Sequence, residues 1–386
     1  MSGGGKKVLF LGYDASRTGA PLLLLKFLEW LKLNADISAE LLLRWDDGTL
    51  AADYKALFPV HGYHNWFQKM NGPGHRVLQK LHLAQARKPD LNRLFPVAKF
   101  PVIYANTIAS LDFASEMGPN RKCILHVHEL DFALRAFKME QRLRDSIHFV
   151  SAYIAASDAV RRYLVETMGI PPSRVSVVHE FPICYLKSAE ALNAARKEVR
   201  ASLGVDENTL VVGMCGSLDW RKGSDLFLQL AVQLKRRRQQ FLCVWVGGSA
   251  ETTEVRHDLA SAGLTDVVRI INACSDPERY YPAFDVFALT SREDPFPVAM
   301  LEAGASGVAI LAFAGAGGAA ELIGGDNGML VPYLDVVAMA DEICRLATDR
   351  ATLRAVGAKM QSKVLECYQM PTQASKLLTV LKNVAE

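Results

Sequence analysis

The sequence has no bilayer-length apolar run, no paired-cysteine motif and no large excess of charge of one sign. Its longest apolar candidate, Ala20 to Leu33, is interrupted by Lys26, Glu29 and Lys32, so no spanning helix is expected there. Seven cysteines, an odd number with no C-x-x-C pair and no metal-ligand spacing, argue against a disulfide framework and for a reducing compartment. A net charge of +3 over 386 residues excludes a chain built as a whole to bind nucleic acid. The start, Ser2-Gly3-Gly4-Gly5-Lys6-Lys7, has the charge of a signal peptide's first part but neither its apolar core nor its cleavage site. It reads as a flexible tail on a cytoplasmic protein. Two motifs are also missing: the G-x-G-x-x-G dinucleotide fingerprint and a D-x-D cluster with metal-ligand character.

What is there is apolar and periodic. Half the residues are hydrophobic and 22% are charged, enough to build real cores, and the length suggests two or three domains. Val8–Leu11 is a short continuous apolar run, as expected of a strand buried on both faces. The loop Gly12 to Pro21 follows, and Leu22 to Leu33 then reads as a buried helix with one wet face. Strand, small-residue loop and helix open a doubly wound α/β sheet, where ligands sit at the carboxyl ends of the strands. Further strands are expected at Ile37–Arg44, Val102–Ala105 and Cys123–Val127, before Ser157, and at Arg174–Val178. The pattern restarts at Leu210–Cys215 and continues through Leu242–Gly247, Val267–Ile271, Val286–Thr290 and Val308–Phe313. The expected domains are 1–185 and 186–370, followed by a last helix, 371–386.

The chemistry concentrates in the second half. In Ser291-Arg292-Glu293-Asp294-Pro295-Phe296-Pro297-Val298-Ala299-Met300-Leu301-Glu302, two carboxylates lie eight residues apart on a loop that turns into a helix. Phe296, Pro297 and Val298 form that turn, with proline suited to the first helical turn. The free N–H groups there point at the loop and can hold an anion. Asp294 would sit beside that anion and Glu302 about two turns further along on nearly the same face. One can accept from a sugar's hydroxyls and the other from a ribose's. Upstream, Gly216-Ser217-Leu218-Asp219-Trp220-Arg221-Lys222-Gly223 puts two adjacent cations before a glycine at a helix start, which suits a diphosphate.

These motifs resemble the retaining glycosyltransferase family 4, whose signature has two acids separated by seven residues with an aromatic-small pair after the first. The resemblance covers nearly the whole chain and implies the GT-B architecture, two doubly wound Rossmann-like domains facing across a cleft. It implies transfer of a sugar from a nucleoside diphosphate sugar, with a UDP-sugar as the commonest donor, to a glycan or lipid-linked acceptor in bacterial surface polysaccharide assembly. The family's first acid is usually Glu. Here Glu293 and Asp294 both stand as candidates, and the seven-residue gap favours Asp294. The family's lysine before the glycine is matched by Lys222. Its arginine after the strand's glycine is replaced by Ser217, a loss for which Arg221 can substitute. The same resemblance implies that Gly19 with Ala20 lets the backbone approach the diphosphate, that His128 faces the donor sugar, and that the backbone at Asn272 and Ala273 meets the base. Catalysis would rest on His128, Asp294 and Lys222, with no cofactor and no essential metal.

Some stretches leave alternatives open. Between Trp66 and Phe100, seven cations (Lys69, Arg76, Lys80, Arg87, Lys88, Arg93, Lys99) face a single acid, Asp90, interleaved with Trp66, Phe67, Val77, Leu78 and Leu81. This is either a surface that docks on an anionic membrane or holds a lipid-linked phosphate acceptor, or else a solvated helix face. His126 and His128 share one strand face, but a His-x-His pair without a third ligand beside it is a weak metal signal. A degenerate scaffold that only binds a partner, and a nucleotide-sugar epimerase, are the rival functions.

Overall fold

The apolar runs become parallel strands. The computed structural model describes residues 6–80, 85–184, 188–237, 239–249, 252–324 and 329–386. They form two compact units, Met1–His179 with Met370–Glu386, and Glu180–Gln369.

The first unit holds β1 Lys6–Gly12, β2 Ile37–Leu43, β3 Val60–Gly62, β4 Val102–Ala105, β5 Lys122–Val127, β6 Val150–Ala155 and β7 Val175–Val177. Their order is β3-β2-β1-β4-β5-β6-β7, and every pair is parallel. Alternation divides the residues between two buried faces. Leu9, Leu11, Leu42, Ile103 and Leu125 pack on one side; Val8, Phe10, Leu41, Leu43, Tyr104 and Ile124 pack on the other. Ala374, Leu377 and Leu381 of the last helix, Met370–Ala385, complete the second of these cores. Pro371 lies in the first turn of that helix, where a missing N–H costs nothing.

The second unit holds β8 Leu210–Cys215, β9 Phe241–Gly248, β10 Val268–Asn272, β11 Val286–Leu289, β12 Ala309–Phe313 and β13 Met329–Val331, ordered β10-β9-β8-β11-β12-β13. It too is parallel throughout. In both sheets the order reverses next to the first strand, between β1 and β4 and between β8 and β11. In doubly wound sheets the loops after such strands form the ligand crevice. Here those loops are Gly216–Gly223 and Thr290–Pro297, so topology alone brings the two sequence motifs together.

Several local expectations need correction. Gly19, Ala20 and Pro21, expected in a loop, are the first turn of the helix Gly19–Asn34; none of the three opposes a helix at its start. Pro297 is not in the first turn but is the N-cap residue of the helix Val298–Ala305. Asn272 closes β10 instead of following it. The edge strands β3 and β13 are three residues each, too short to show a period. The basic stretch is broken into the helices Tyr63–Met70, Pro73–Lys80 and Leu91–Leu94. Leu81 lies outside the described residues. Trp66 packs 5.7 Å from the ring of buried Phe95, which meets Phe100 at 5.7 Å. These aromatic residues are spent on the unit's own packing, while Lys69, Lys80, Arg87, Lys88, Arg93 and Lys99 are exposed.

Candidate functional site

The loop after β8 is shaped by backbone contacts with the loop after β11. Gly223 has φ +72°, and a Cβ on it would meet the Thr290 carbonyl oxygen at 2.0 Å, so no other residue fits between the loops. The Thr290 hydroxyl donates to one of the carbonyls of Lys222 and Gly223, 3.2 and 3.1 Å away. The Arg292 N–H donates to the Arg221 carbonyl at 2.8 Å. From the loop's own side, Asp219 Oδ1 accepts the Lys222 N–H at 2.8 Å, and Asp219 Oδ2 holds the Ser217 hydroxyl at 2.5 Å.

Held this way, Lys222 reaches Asp294. Its Nζ lies 2.5 Å from Asp294 Oδ2, with both side chains largely buried. Ser291 Oγ donates to the same oxygen at 3.1 Å. Arg221 Nη1 is 3.8 Å from Asp294 Oδ1 and donates to the Glu293 carbonyl at 3.0 Å. The candidate acid and both candidate cations therefore meet. The backbone of Asp294 is fixed by a third loop: its N–H donates to the Ala316 carbonyl at 2.7 Å and its carbonyl accepts from the Gly318 N–H at 3.1 Å. A Cβ on Gly317, at φ +130°, would lie 1.9 Å from the Asp294 carbonyl oxygen.

Glu302 takes a different position. Its carboxylate is buried, with Oε1 accepting from the N–H groups of Ile183 and Cys184 at 3.2 and 3.0 Å and Oε2 from the Tyr281 hydroxyl at 3.0 Å. Burial pushes its pKa up to about 7, with nearby Glu278 adding to the rise and the three donors opposing it. Asp294 and Glu302 thus belong to separate hydrogen-bond groups in this structure. The ring of Phe296 is also not at the loop surface: it is buried against Tyr368, centroids 5.3 Å apart. Its side chain is a packing element, which leaves only its backbone to face a ligand. Val298 and Ala299, half-buried, open the helix after Pro297, and their N–H groups precede the first intrahelical bonds. Asn272 and Ala273 are exposed at the end of β10.

In the first unit, Gly19 sits at the helix start with nothing within 4 Å of a Cβ built on it, and the Ala20 carbonyl accepts from Asn106 Nδ2 at 3.0 Å. His126 and His128 do share a face, their rings 3.9 Å apart. Buried His126 pairs through Nδ1 with the Tyr104 hydroxyl at 2.7 Å, and burial, with His128 adding to it, holds its pKa well below the usual histidine range. His128 is half-buried, and its N–H donates to Glu129 Oε2 at 2.8 Å.

A cavity of about 680 Å³ lies beside the β8 loop, lined by Leu218, Trp220, Phe227 and Val255 among others. Asp219, Asp225, Glu254 and Asp258 also line it, whereas Lys222, Arg221 and Asp294 do not. Among the described residues its lining is acidic, with Asp225 paired to Arg292, which disfavours a diphosphate there. Sequence reasoning missed Thr290, Ser291, Arg292 and Asp219. The advance signal was their place in the chain: Ser291, Arg292 and Asp219 stand within the two motifs, and Thr290 ends the strand expected before one of them.

Residues 195–363 match the family model "Glycosyl transferases group 1". The lipopolysaccharide core biosynthesis mannosyltransferase LpsB of Rhizobium meliloti is 26% identical over 49% of this chain and 56% of that protein. A D-inositol 3-phosphate glycosyltransferase of Kineococcus radiotolerans is 30% identical over 53% of this chain and 51% of its own length. The chain thus spans about half the length of the curated relatives it matches. Among solved structures, Anabaena Alr3699/HepE in complex with UDP superposes with a TM-score of 0.79 at 22% identity, over 98% of this chain and 100% of that one. The two parallel-sheet, Rossmann-like units are those of the GT-B fold.

Proposed function

We propose that the chain is a glycosyltransferase of the retaining family 4 type, moving a sugar from a nucleoside diphosphate sugar to a glycan or lipid-linked acceptor in surface polysaccharide assembly. The observation that carries this reading is the Lys222–Asp294 pair, 2.5 Å apart, with Arg221 alongside and the start of the helix Val298–Ala305 on the same loop. A diphosphate brings the charge that competes with Asp294 for Lys222, and the released carboxylate can then accept from sugar hydroxyls. Charge growing on the leaving diphosphate is stabilised by Lys222, Arg221 and the N–H groups of Val298 and Ala299. These groups supply the stabilisation without a bound metal ion. Glu302 turns to a ribose by giving up one of its present donors. In the first unit, Gly19 with Ala20 offers backbone to a diphosphate, and His128 offers a ring nitrogen to a sugar hydroxyl. Retention follows if the C1–O bond to the diphosphate breaks while the acceptor oxygen bonds C1 from the same face. The acceptor's proton passes to the departing phosphate oxygen.

A UDP-sugar is the preferred donor, supported by the HepE complexes with UDP and UDP-glucose. Thermal unfolding with UDP, GDP and ADP in turn, each with chelator, tests the core of the proposal. A nucleotide at about 100 times its Kd stabilises by roughly 2.7 kcal/mol. A rise of several degrees with one of them supports a metal-independent donor site, and no rise with any of them, or a rise only after Mg²⁺ is added, overturns it. A lipid-linked acceptor also places the enzyme at the cytoplasmic face of a membrane. The exposed cations of the 69–99 stretch support that placement through charge, without aromatic insertion. Binding to vesicles that is indifferent to anionic lipid would remove this part.

A further inference from the structure

Arg292 has no part in the chemistry above, yet it ties the two loops together more than Lys222 itself does. Its guanidinium makes a two-pronged pair with Asp225, Nη1 to Oδ1 and Nη2 to Oδ2, both 2.7 Å. Nη1 also donates to the Trp220 carbonyl at 2.7 Å, and the planar head lies 4.5 Å from the centre of the Trp220 ring. Behind it, the Arg292 N–H donates to the Arg221 carbonyl, and its own carbonyl accepts from the Tyr333 hydroxyl at 3.1 Å. The side chain is 11% exposed. Each of these bonds except the one from Tyr333 lands within three residues of Lys222.

A lysine reaching for a phosphate is a point charge on a four-carbon arm with many rotamers. Its aim depends on how firmly the backbone beneath it is fixed. Asp219, Thr290 and Gly223 fix the loop from within and below, and Arg292 fixes it from the outer side through Trp220, Arg221 and Asp225. The arm itself runs over Gly216, where a Cβ would be 3.5 Å from the Lys222 Cδ and Cε. We infer that Arg292, acting with Asp225, is a positioning residue that sets Lys222 against the diphosphate. This rests on the reading of Lys222 as a diphosphate ligand. R292K keeps the charge but loses both the two-pronged pair and the planar head over the Trp220 ring, so the geometry, and not the charge, is what the role requires.

A double-mutant cycle on the full chain separates this role from simple scaffolding. The dissociation constant of the tightest-binding of UDP, GDP and ADP is measured by calorimetry for the native protein, R292K, K222A and the double variant. D225N, alone and with K222A, serves as a second entry to the same pair. R292K is expected to weaken binding about tenfold in the native background and less than about twofold when Lys222 is absent, within the usual range of couplings. The same pattern is expected for D225N. An equal loss in both backgrounds, or no loss from either variant, overturns the role of Arg292 while leaving the donor site intact. Unchanged nucleotide binding by K222A itself overturns the diphosphate reading and this inference with it.

Discussion

The loop after the first strand is built in opposite ways in the two units. In the first unit it ends at Gly19, which has open space where a side chain would go. In the second it ends at Gly223, which is pressed against the Thr290 carbonyl and joined to its neighbour loop by Lys222, Arg221 and Arg292. The difference teaches that one architecture can supply an open helix start or a fixed charged cradle. What decides is where the second loop closes: in the first unit Gly48 presses on the Ala15 carbonyl, which also accepts the Leu50 N–H at 2.8 Å, four residues short of Gly19, whereas in the second the closure falls on Gly223 itself.

The largest break in that contrast is expected from Gly317→Ala. The added carbon collides with the Asp294 backbone, and roughly 2–4 kcal/mol of stability should be lost, measured by urea unfolding. A loss under 1 kcal/mol would mean that the third loop is not the fixed wall it looks to be. Next is the pH response of Glu302. Its folded pKa of about 7 lies above the ordinary 4.5, so its contribution to stability is fully present below about 4.5. That contribution is lost as pH rises to 7 and beyond, by roughly 3 kcal/mol in all. Urea unfolding at pH 4.5 and 8 should show a drop in the native protein that Glu302→Gln lacks; equal slopes would contradict the buried-carboxyl account. Lys222→Ala should slow donor turnover ~10²-fold or more, read by release of nucleoside diphosphate, and a near-native rate would strip Lys222 of its role. Smallest is Gly19→Ala. With no clash and a better helix former at the start of Gly19–Asn34, stability should hold or rise by up to about 1 kcal/mol. Weakened nucleotide binding in that variant would show that the open space serves a ligand; unchanged binding would make it mere slack.

Much of this was legible in the sequence where a signal is local. Val8–Leu11 and Leu210–Cys215 announce strands because they are buried on both faces, and Lys222-Gly223 and Asp294 stand out because their residue types and spacing have few other uses. The edge strands Val60–Gly62 and Met329–Val331 were hidden because three residues carry no period. Arg292 was hidden for another reason. Its partners, Trp220 and Asp225, lie about 70 residues earlier, and nothing beside it in the chain marks the pairing. Phe296 shows the limit of a motif: its position in the pattern is right for a donor site, but its ring is used against Tyr368, 72 residues later. Glu302 shows the same limit, since no spacing rule predicts that Ile183, Cys184 and Tyr281 would claim its oxygens.

The last helix belongs to the first unit, although the whole of Glu180–Gln369 is made before it. On a ribosome adding roughly 5–20 residues per second, about 190 residues separate the end of the first stretch from the start of its missing piece. For some 10–40 seconds the nascent sheet therefore lacks Ala374, Leu377 and Leu381, which pack with Phe10, Leu41 and Tyr104 in the finished core. The later unit has all its own strands and can mature first. Synthesis order and folding order are thus expected to differ, and in that interval the half-covered sheet is the part of the newborn chain most in need of a chaperone.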